Sequence, residues 1–156
     1  MPIKIDSIGH CAIAATDIDS MADFYQRVLG FVLLERDPDH GGVFLSLAGT
    51  SHTIDLFPMG MLGTRPAREG TQIVHIAFKV ASYAALRDAG AVLTENDVPV
   101  AAMLDHTKQR SIYFADPERN RLEIYFERSN WTEILAQGRA DQDASFSFDE
   151  PAPDGD

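Results

Sequence analysis

The chain has 156 residues and a formal net charge of −11 at pH 7, with 45% hydrophobic and 9% aromatic residues. A chain of this length and composition can bury a core as one domain, without disulfides or structural zinc. The acidic charge argues against nucleic-acid binding, which needs a basic face, and no apolar run approaches the ~20 residues of a membrane helix. The single cysteine, Cys11, and an N-terminus without a long apolar stretch predict a cytoplasmic location.

The first half of the chain has the pattern of a strand, a helix and three further strands. Residues 8–14 form an extended run, after which Asp17 or Asp19 can cap a helix that ends at Gly30. Glycine-containing turns then separate strand-like runs at residues 31–36, 42–48 and 52–57.

The second half repeats this order. Residues 73–79 resemble residues 8–14, with a histidine at the same place in both segments. Ser82 can cap a second helix, which we expect to end at Gly90. The strand-like runs that follow are residues 91–95, 110–115 and 121–127.

Two repeated halves of this size predict one pseudo-symmetric α+β domain over residues 1–138, rather than a solenoid. Its modules are expected at about residues 3–58 and 72–128, followed by an extra helix at about 130–138. Residues 139–156 are acidic and poor in large apolar side chains, which predicts a disordered tail. Deleting residues 140–156 is accordingly expected to leave activity nearly intact.

Three side chains are candidates for binding a divalent metal ion. Strand alternation places His10 on one face with Ala12, and His75 on one face with Ala77. Glu123 lies in the last predicted strand. One histidine in a strand is usually structural, but two histidines at equivalent points of a repeat, together with a carboxylate, favour a metal site. Two imidazoles and one carboxylate suit Fe(II), and Mn(II) also fits; other coordination positions stay open.

These segments resemble the vicinal-oxygen-chelate superfamily, which includes glyoxalase I, fosfomycin and bleomycin resistance proteins and type I extradiol dioxygenases. The resemblance covers residues 3–127 and is most specific at residues 111–123, an aromatic strand and Asp-Pro turn before Glu123. Arg119 stands where the family usually has glycine, so the turn geometry is open. The resemblance implies paired βαβββ modules in an open, eight-stranded cupped sheet. It also places the predicted ligands His10, His75 and Glu123 on the family's ligand positions.

Within the superfamily, the resemblance is closest to the extradiol dioxygenases. His52, His106 and Tyr113 fall where those enzymes carry the catalytic groups around the substrate. The resemblance implies an Fe(II) enzyme that cleaves a catechol-like vicinal diol with dioxygen, and a homodimer. His52 would stabilise reduced dioxygen and carry a proton, while His106 and Tyr113 would bind the substrate oxygens.

Two alternatives remain open. Asp55 matches the carboxylate ligand in the first module of glyoxalase I, and a His10, Asp55, His75 and Glu123 set would favour Ni(II) or Zn(II) and lyase, isomerase or epimerase chemistry. In a regular strand His52 and Asp55 point to opposite faces, so both can act only through a bulge or from the strand's end. The third reading is a non-catalytic resistance protein that binds a ligand, against which the intact triad argues.

Overall fold

The structure, a computed structural model, describes residues 8–47, 52–62, 73–136 and 143–153. The chain divides into two compact units, Met1–Glu69 and Gly70–Asp156. Each unit contains a mixed sheet and helices, so the predicted α+β class with its repeated strand–helix–strand order is confirmed. The limits of the predicted domain and modules stay a prediction.

The first unit is built from one helix and a four-stranded sheet. Its elements are β1 (Cys11–Ala15), α1 (Ile18–Arg27), β2 (Val32–Arg36), β3 (Val43–Ser46) and β4 (Ile54–Pro58), followed by a 3-10 turn at Met59–Leu62. The strand order is β1-β4-β3-β2, and β1 pairs in parallel with β4. As predicted, Asp17 caps α1, accepting a hydrogen bond from the Ser20 N–H at 2.9 Å, and Gly30 adopts the left-handed conformation.

The second unit repeats this topology and adds one strand. Its elements are β5 (Ile76–Lys79), α2 (Tyr83–Glu95), β6 (Ala102–Asp105), β7 (Gln109–Ala115), β8 (Arg121–Glu127), α3 (Trp131–Ala136) and β9 (Ala144–Ser145). The strand order is β5-β8-β7-β6-β9, and β5 pairs in parallel with β8 as β1 does with β4. Ser82 caps α2 as predicted, and α3 lies where the extra helix is expected.

The second helix is longer than the sequence predicts, because Gly90 does not end it. The helix α2 continues to Glu95, so residues 91–95 are helical and the prediction of a strand there is wrong. A Cβ atom on Gly90 would lie only 2.7 Å from Cε2 of Phe148, which explains the glycine by close packing rather than by helix termination. The left-handed residue that follows the helix is Asp97.

The C-terminal segment 143–153 is ordered against the second sheet, so the prediction of a disordered tail is wrong for these residues. Its β9 pairs antiparallel with β6, and Phe146 is 6% exposed. The guanidinium of Arg110 lies 4.8 Å from the Phe146 ring centroid and donates a hydrogen bond to the Pro151 carbonyl at 3.2 Å. Burial of aromatic side chains and the contacts of Arg110 stabilise this segment, and the acidic composition gave no sign of either. The other residues of the predicted tail, 139–142 and 154–156, lie outside the described residues.

No helix in the described ranges is both long enough and apolar enough to cross a membrane.

A partly buried ion-pair network joins β6 and β7 to Arg128, which follows β8. The Asp105 Oδ2 atom accepts hydrogen bonds from Arg110 Nε and Arg128 Nη2, both at 2.8 Å. Burial raises the pKa of Asp105, but the hydrogen bond from Arg110 and the charge of Arg128 outweigh it, so the pKa lies below its ordinary value.

Replacing Asp105 with asparagine is expected to lower the free energy of unfolding by about 2 kcal/mol at neutral pH, because two guanidinium groups lose a charged acceptor. A depressed carboxyl pKa stabilises the fold above the unfolded pKa, and this stabilisation is lost as pH falls through the folded value. The variant should therefore lose less further stability than the wild type between about pH 5 and 3. Urea unfolding across that range tests this, with exposed Asp88→Asn as the control; equal pH profiles for wild type and Asp105→Asn would contradict it.

Candidate functional site

The parallel pairing of β1 with β4 brings a histidine and a carboxylate together in the first unit. Ala12 is the register partner of Asp55, and His10 lies two residues before Ala12, just ahead of β1. The His10 Nε2 atom lies 3.6 Å from Asp55 Oδ2. Asp55 is only 2% exposed, and a carboxylate so buried needs polar or charged partners.

His52 joins the same group from just before β4. Its Nδ1 atom lies 2.7 Å from Asp55 Oδ1, and its ring stacks on His10 with centroids 4.5 Å apart. Because β4 begins at Ile54, His52 is free of the strand's alternation and acts from the strand's end, one of the two routes that the sequence left open. In the part of the chain that the structure describes, His10, His52 and Asp55 are the one trio whose ligand atoms all lie within 4.8 Å.

The second unit holds the equivalent pair. Ala77 is the register partner of Glu123, and His75 precedes Ala77 as His10 precedes Ala12. The His75 Nε2 atom lies 2.9 Å from Glu123 Oε2, and Glu123 is 3% exposed. Asp55 and Glu123 therefore occupy the same place in their two sheets.

Gln109 is a site residue that the sequence reasoning missed. Its Nε2 donates a hydrogen bond to Glu123 Oε1 at 3.0 Å and another to Ser111 Oγ at 3.1 Å. The predicted strand began at Arg110, one residue too late to include Gln109. Alternation along β7 carries the signal that could have found it, because Gln109, Ser111 and Tyr113 share one face.

Tyr113 and His106 form a pair beside Glu123. Tyr113 is directly opposite Glu123 in the β7–β8 register, and its hydroxyl lies 2.9 Å from His106 Nε2. The Tyr113 ring meets the His75 ring edge-on, with centroids 5.8 Å apart. Burial, with a further contribution from the charge of Glu123, raises the pKa of Tyr113 to about 12. The hydroxyl consequently stays protonated near neutral pH and can donate a hydrogen bond.

The turn before β8 keeps its left-handed residue without glycine. Arg119 has φ 68°, a conformation that costs a non-glycine residue roughly 1 kcal/mol. Asp116 stabilises the turn, since its Oδ1 accepts from the backbone N–H groups of Glu118 and Asn120 at 3.0 and 2.8 Å. Its Oδ2 accepts from the Asn120 side chain at 2.8 Å. The turn thus fixes the register that sets Glu123 opposite Tyr113.

The predicted metal ligands are divided between the two units. His10 belongs to the first unit, whereas His75 and Glu123 belong to the second and lie together there. The second unit also brings together two of the predicted catalytic residues, His106 and Tyr113. The third, His52, lies in the first unit beside Asp55. The complete triad stays a prediction.

The donor set fits a divalent transition metal. Each unit presents an imidazole and a carboxylate that is almost fully buried, and these are ligand types used by Fe(II), Mn(II), Ni(II) and Zn(II). Glu123 has a neutral donor on one oxygen, Gln109, which can orient the carboxylate without competing for it as a cation.

A family model described as the Glyoxalase/Bleomycin resistance protein/Dioxygenase superfamily matches residues 7–124. The chain belongs to this superfamily. Among solved structures, it is similar to lactoylglutathione lyase from Agrobacterium tumefaciens, with 20% identity over 78% of this chain and 94% of that one, and a TM-score of 0.65. It is also similar to the fosfomycin resistance protein FosX from Listeria monocytogenes, with 18% identity over 82% and 98% of the chains and a TM-score of 0.63.

A third similar structure is a glyoxalase/dioxygenase from Nostoc punctiforme, with 21% identity over 81% of this chain and 100% of that one, and a TM-score of 0.61. At these identities the likeness concerns the superfamily fold. The match to the superfamily model ends at residue 124, so β9 and the rest of the C-terminal segment lie beyond it.

Proposed function

We propose that this member of the superfamily is an extradiol-type dioxygenase that opens the ring of a catechol-like vicinal diol. The supporting observation is the hydrogen-bonded pair of His106 and Tyr113, which lies beside His75 and Glu123. A vicinal diol presents two adjacent hydroxyls, and a tyrosine hydroxyl that donates to an imidazole can accept a hydrogen bond from one of them, with the imidazole as the base that takes the proton.

His10, His75 and Glu123 would hold one divalent metal ion, Fe(II) in preference to Mn(II). The bound ion would acidify the substrate hydroxyls and carry electrons from the diol to dioxygen. Gln109 would orient the Glu123 carboxylate through its hydrogen bond. The residues two positions after His10 and His75 are the small side chains Ala12 and Ala77, which lie opposite Asp55 and Glu123 and would leave room for a ligand.

The chain's own proton-handling groups are His52, His106 and Tyr113. Asp55 accepts from Nδ1–H of His52, which leaves Nε2 as the nitrogen that can take or release a proton. Tyr113 donates its hydroxyl hydrogen to His106 Nε2, so its oxygen would accept a hydrogen bond from a substrate hydroxyl, in the orientation that His106 sets. In this arrangement His52 would exchange protons with dioxygen, and His106 would act on the substrate.

The proposal includes a homodimer, a small-molecule catecholic substrate and a cytoplasmic location. Anaerobic purification with metal analysis, followed by a panel of monocyclic, bicyclic and non-aromatic vicinal diols, tests it. Iron in the protein, with diol-dependent oxygen uptake and a yellow ring-opened product, is the expected result. An iron-loaded protein that consumes no oxygen with any diol would contradict the proposed activity.

The second candidate is a glyoxalase I-like lyase, isomerase or epimerase, favoured by the equivalence of Asp55 and Glu123. Both carboxylates are buried, and both lie across a parallel strand pair from an alanine. With His10 and His75 they would make a four-ligand set for Ni(II) or Zn(II). A resistance protein that only binds its ligand is the third candidate. The buried carboxylates disfavour it, because burying a charge costs free energy that a bound metal ion would offset.

Replacing Asp55 with asparagine separates the first two candidates. If Asp55 orients His52, the variant should keep its metal and lose about tenfold in ring cleavage, because an amide holds the imidazole less firmly than a carboxylate. If Asp55 is a ligand, the metal should be lost with the activity. Metal analysis and diol turnover of Asp55→Asn distinguish these results, and Asp37→Asn, which removes a carboxylate from another His–Asp pair of the first unit, is the matched control.

A further inference from the structure

The C-terminal segment contributes a side chain to the second unit's site. In the antiparallel β6–β9 pairing, Leu104 is opposite Ser145 and Asp105 is opposite Ala144. The same register continued by one residue sets Asp143 against His106. The Asp143 Oδ1 atom lies 2.6 Å from His106 Nδ1, although the two residues are 37 positions apart in the chain.

The segment is held there by aromatic burial and not by the aspartate. Phe146 packs beneath the Arg110 guanidinium, and the Phe148 ring lies against Tyr83 with centroids 6.0 Å apart. Asp143 itself has a side chain 55% exposed to solvent, and an ion pair so exposed adds little to stability. The aspartate can therefore be replaced without removing what docks the segment.

The two neighbours of His106 define which ring nitrogen carries the proton. An ionised carboxylate only accepts hydrogen bonds, so the proton between His106 and Asp143 belongs to Nδ1. Neutral imidazole then has a bare Nε2, which accepts from the Tyr113 hydroxyl at 2.9 Å. The chain of contacts Asp143–His106–Tyr113 fixes the ring, its tautomer and the hydroxyl together.

We propose that Asp143 is a positioning residue that holds His106 in the Nδ1–H tautomer, so that Nε2 orients the hydroxyl of Tyr113. The consequence for turnover rests on the proposed dioxygenase function, because there the Tyr113 hydroxyl binds the substrate. The C-terminal segment is then part of the active site, and deleting residues 140–156 should reduce activity, contrary to the expectation from sequence.

The direct test is the tautomer of His106 in the full-length chain, labelled with 15N and freed of metal with a chelator. Long-range 1H–15N correlation at about pH 8, where an ordinary imidazole is neutral, separates protonated from bare ring nitrogens. Subtracting the spectrum of His106→Gln assigns the His106 signals. The wild type should show protonated Nδ1 and bare Nε2, and Asp143→Ala should show a mixture of tautomers or protonated Nε2.

The matched control is Asp149→Ala, which removes the same charge from an exposed position of the same segment. It should give the wild-type spectrum. A wild-type His106 protonated on Nε2, or an Asp143→Ala spectrum identical to wild type, would overturn the proposal.

Turnover supplies the second measurement. In the iron-loaded enzyme, Asp143→Ala should lower kcat about tenfold with KM changed less than about twofold, because substrate still binds while the hydroxyl is misoriented. Asp149→Ala should match wild type in both. A changed tautomer with unchanged kcat would refute the catalytic consequence. A changed tautomer in a protein whose wild type cleaves no diol would refute the proposed function and leave the role of Asp143 standing.

Discussion

Glu123→Gln is expected to leave the protein folded but without bound metal. The carboxylate is 3% exposed, lies 2.9 Å from His75 Nε2 and accepts a hydrogen bond from Gln109. Glutamine keeps the volume and one acceptor oxygen, but it removes the negative charge that a divalent ion needs from its one carboxylate ligand. Iron content after anaerobic purification should fall from near one per chain to background, while the thermal unfolding transition remains cooperative.

Glu127→Gln is the matched control for this loss. Glu127 lies on the same face of β8 as Glu123 and pairs with Lys79, so the variant removes one charge from the same strand. It should retain its iron. The variants His10→Ala and His75→Ala should lose metal as Glu123→Gln does, and full iron retention by all three would exclude the proposed ligand set.

The second large effect is expected from His52→Ala, which should keep iron and lose ring cleavage. We expect turnover to fall by about 10²- to 10⁴-fold, the usual contribution of a general acid–base group. His52 is proposed as a proton carrier rather than a ligand, and Asp55 fixes its Nδ1–H. Stopped-flow turnover and metal analysis of the same preparation measure both properties.

The control for His52→Ala is His40→Ala, which removes another histidine of the first unit. The His40 side chain is 61% exposed and pairs with Asp37 rather than with Asp55. It should be indistinguishable from wild type. Loss of iron from His52→Ala would make His52 a ligand, in keeping with its place in the trio with His10 and Asp55, and unchanged turnover would remove it from the mechanism.

The repeat is what made the fold and the histidine–carboxylate pairs predictable. An equivalent histidine in each half was enough to predict matching places for His10 and His75, and the parallel pairings agree with that symmetry, although each histidine lies just before its strand. Alternation could not show whether His52 and Asp55 can act together, because it holds only inside a strand. The answer depended on where β4 begins, and sequence patterns locate such ends within a few residues at best.

One packing contact accounts for two wrong predictions. Gly90 was expected to end a helix and the last segment was expected to be disordered, yet Gly90 is a glycine because Phe148 of that segment packs against it. Sequence patterns describe each residue by its neighbours along the chain. They therefore cannot show that Gly90 and Phe148, which are far apart in sequence, pack together. Asp143 escaped notice for the same reason, since its partner His106 comes close only when β9 pairs with β6.

The matching register of Asp55 and Glu123 has a consequence for the descent of the molecule. If both halves derive from one duplicated ancestor, each inherited a histidine and an acid, and two copies of a ligand pair leave one acid free for another task. Under the proposed function the spare acid in this chain is Asp55, which accepts a hydrogen bond from His52. Lengthening that side chain by one methylene, Asp55→Glu, is thus a short mutational path by which lineages with redox and non-redox chemistry could have diverged from a common scaffold.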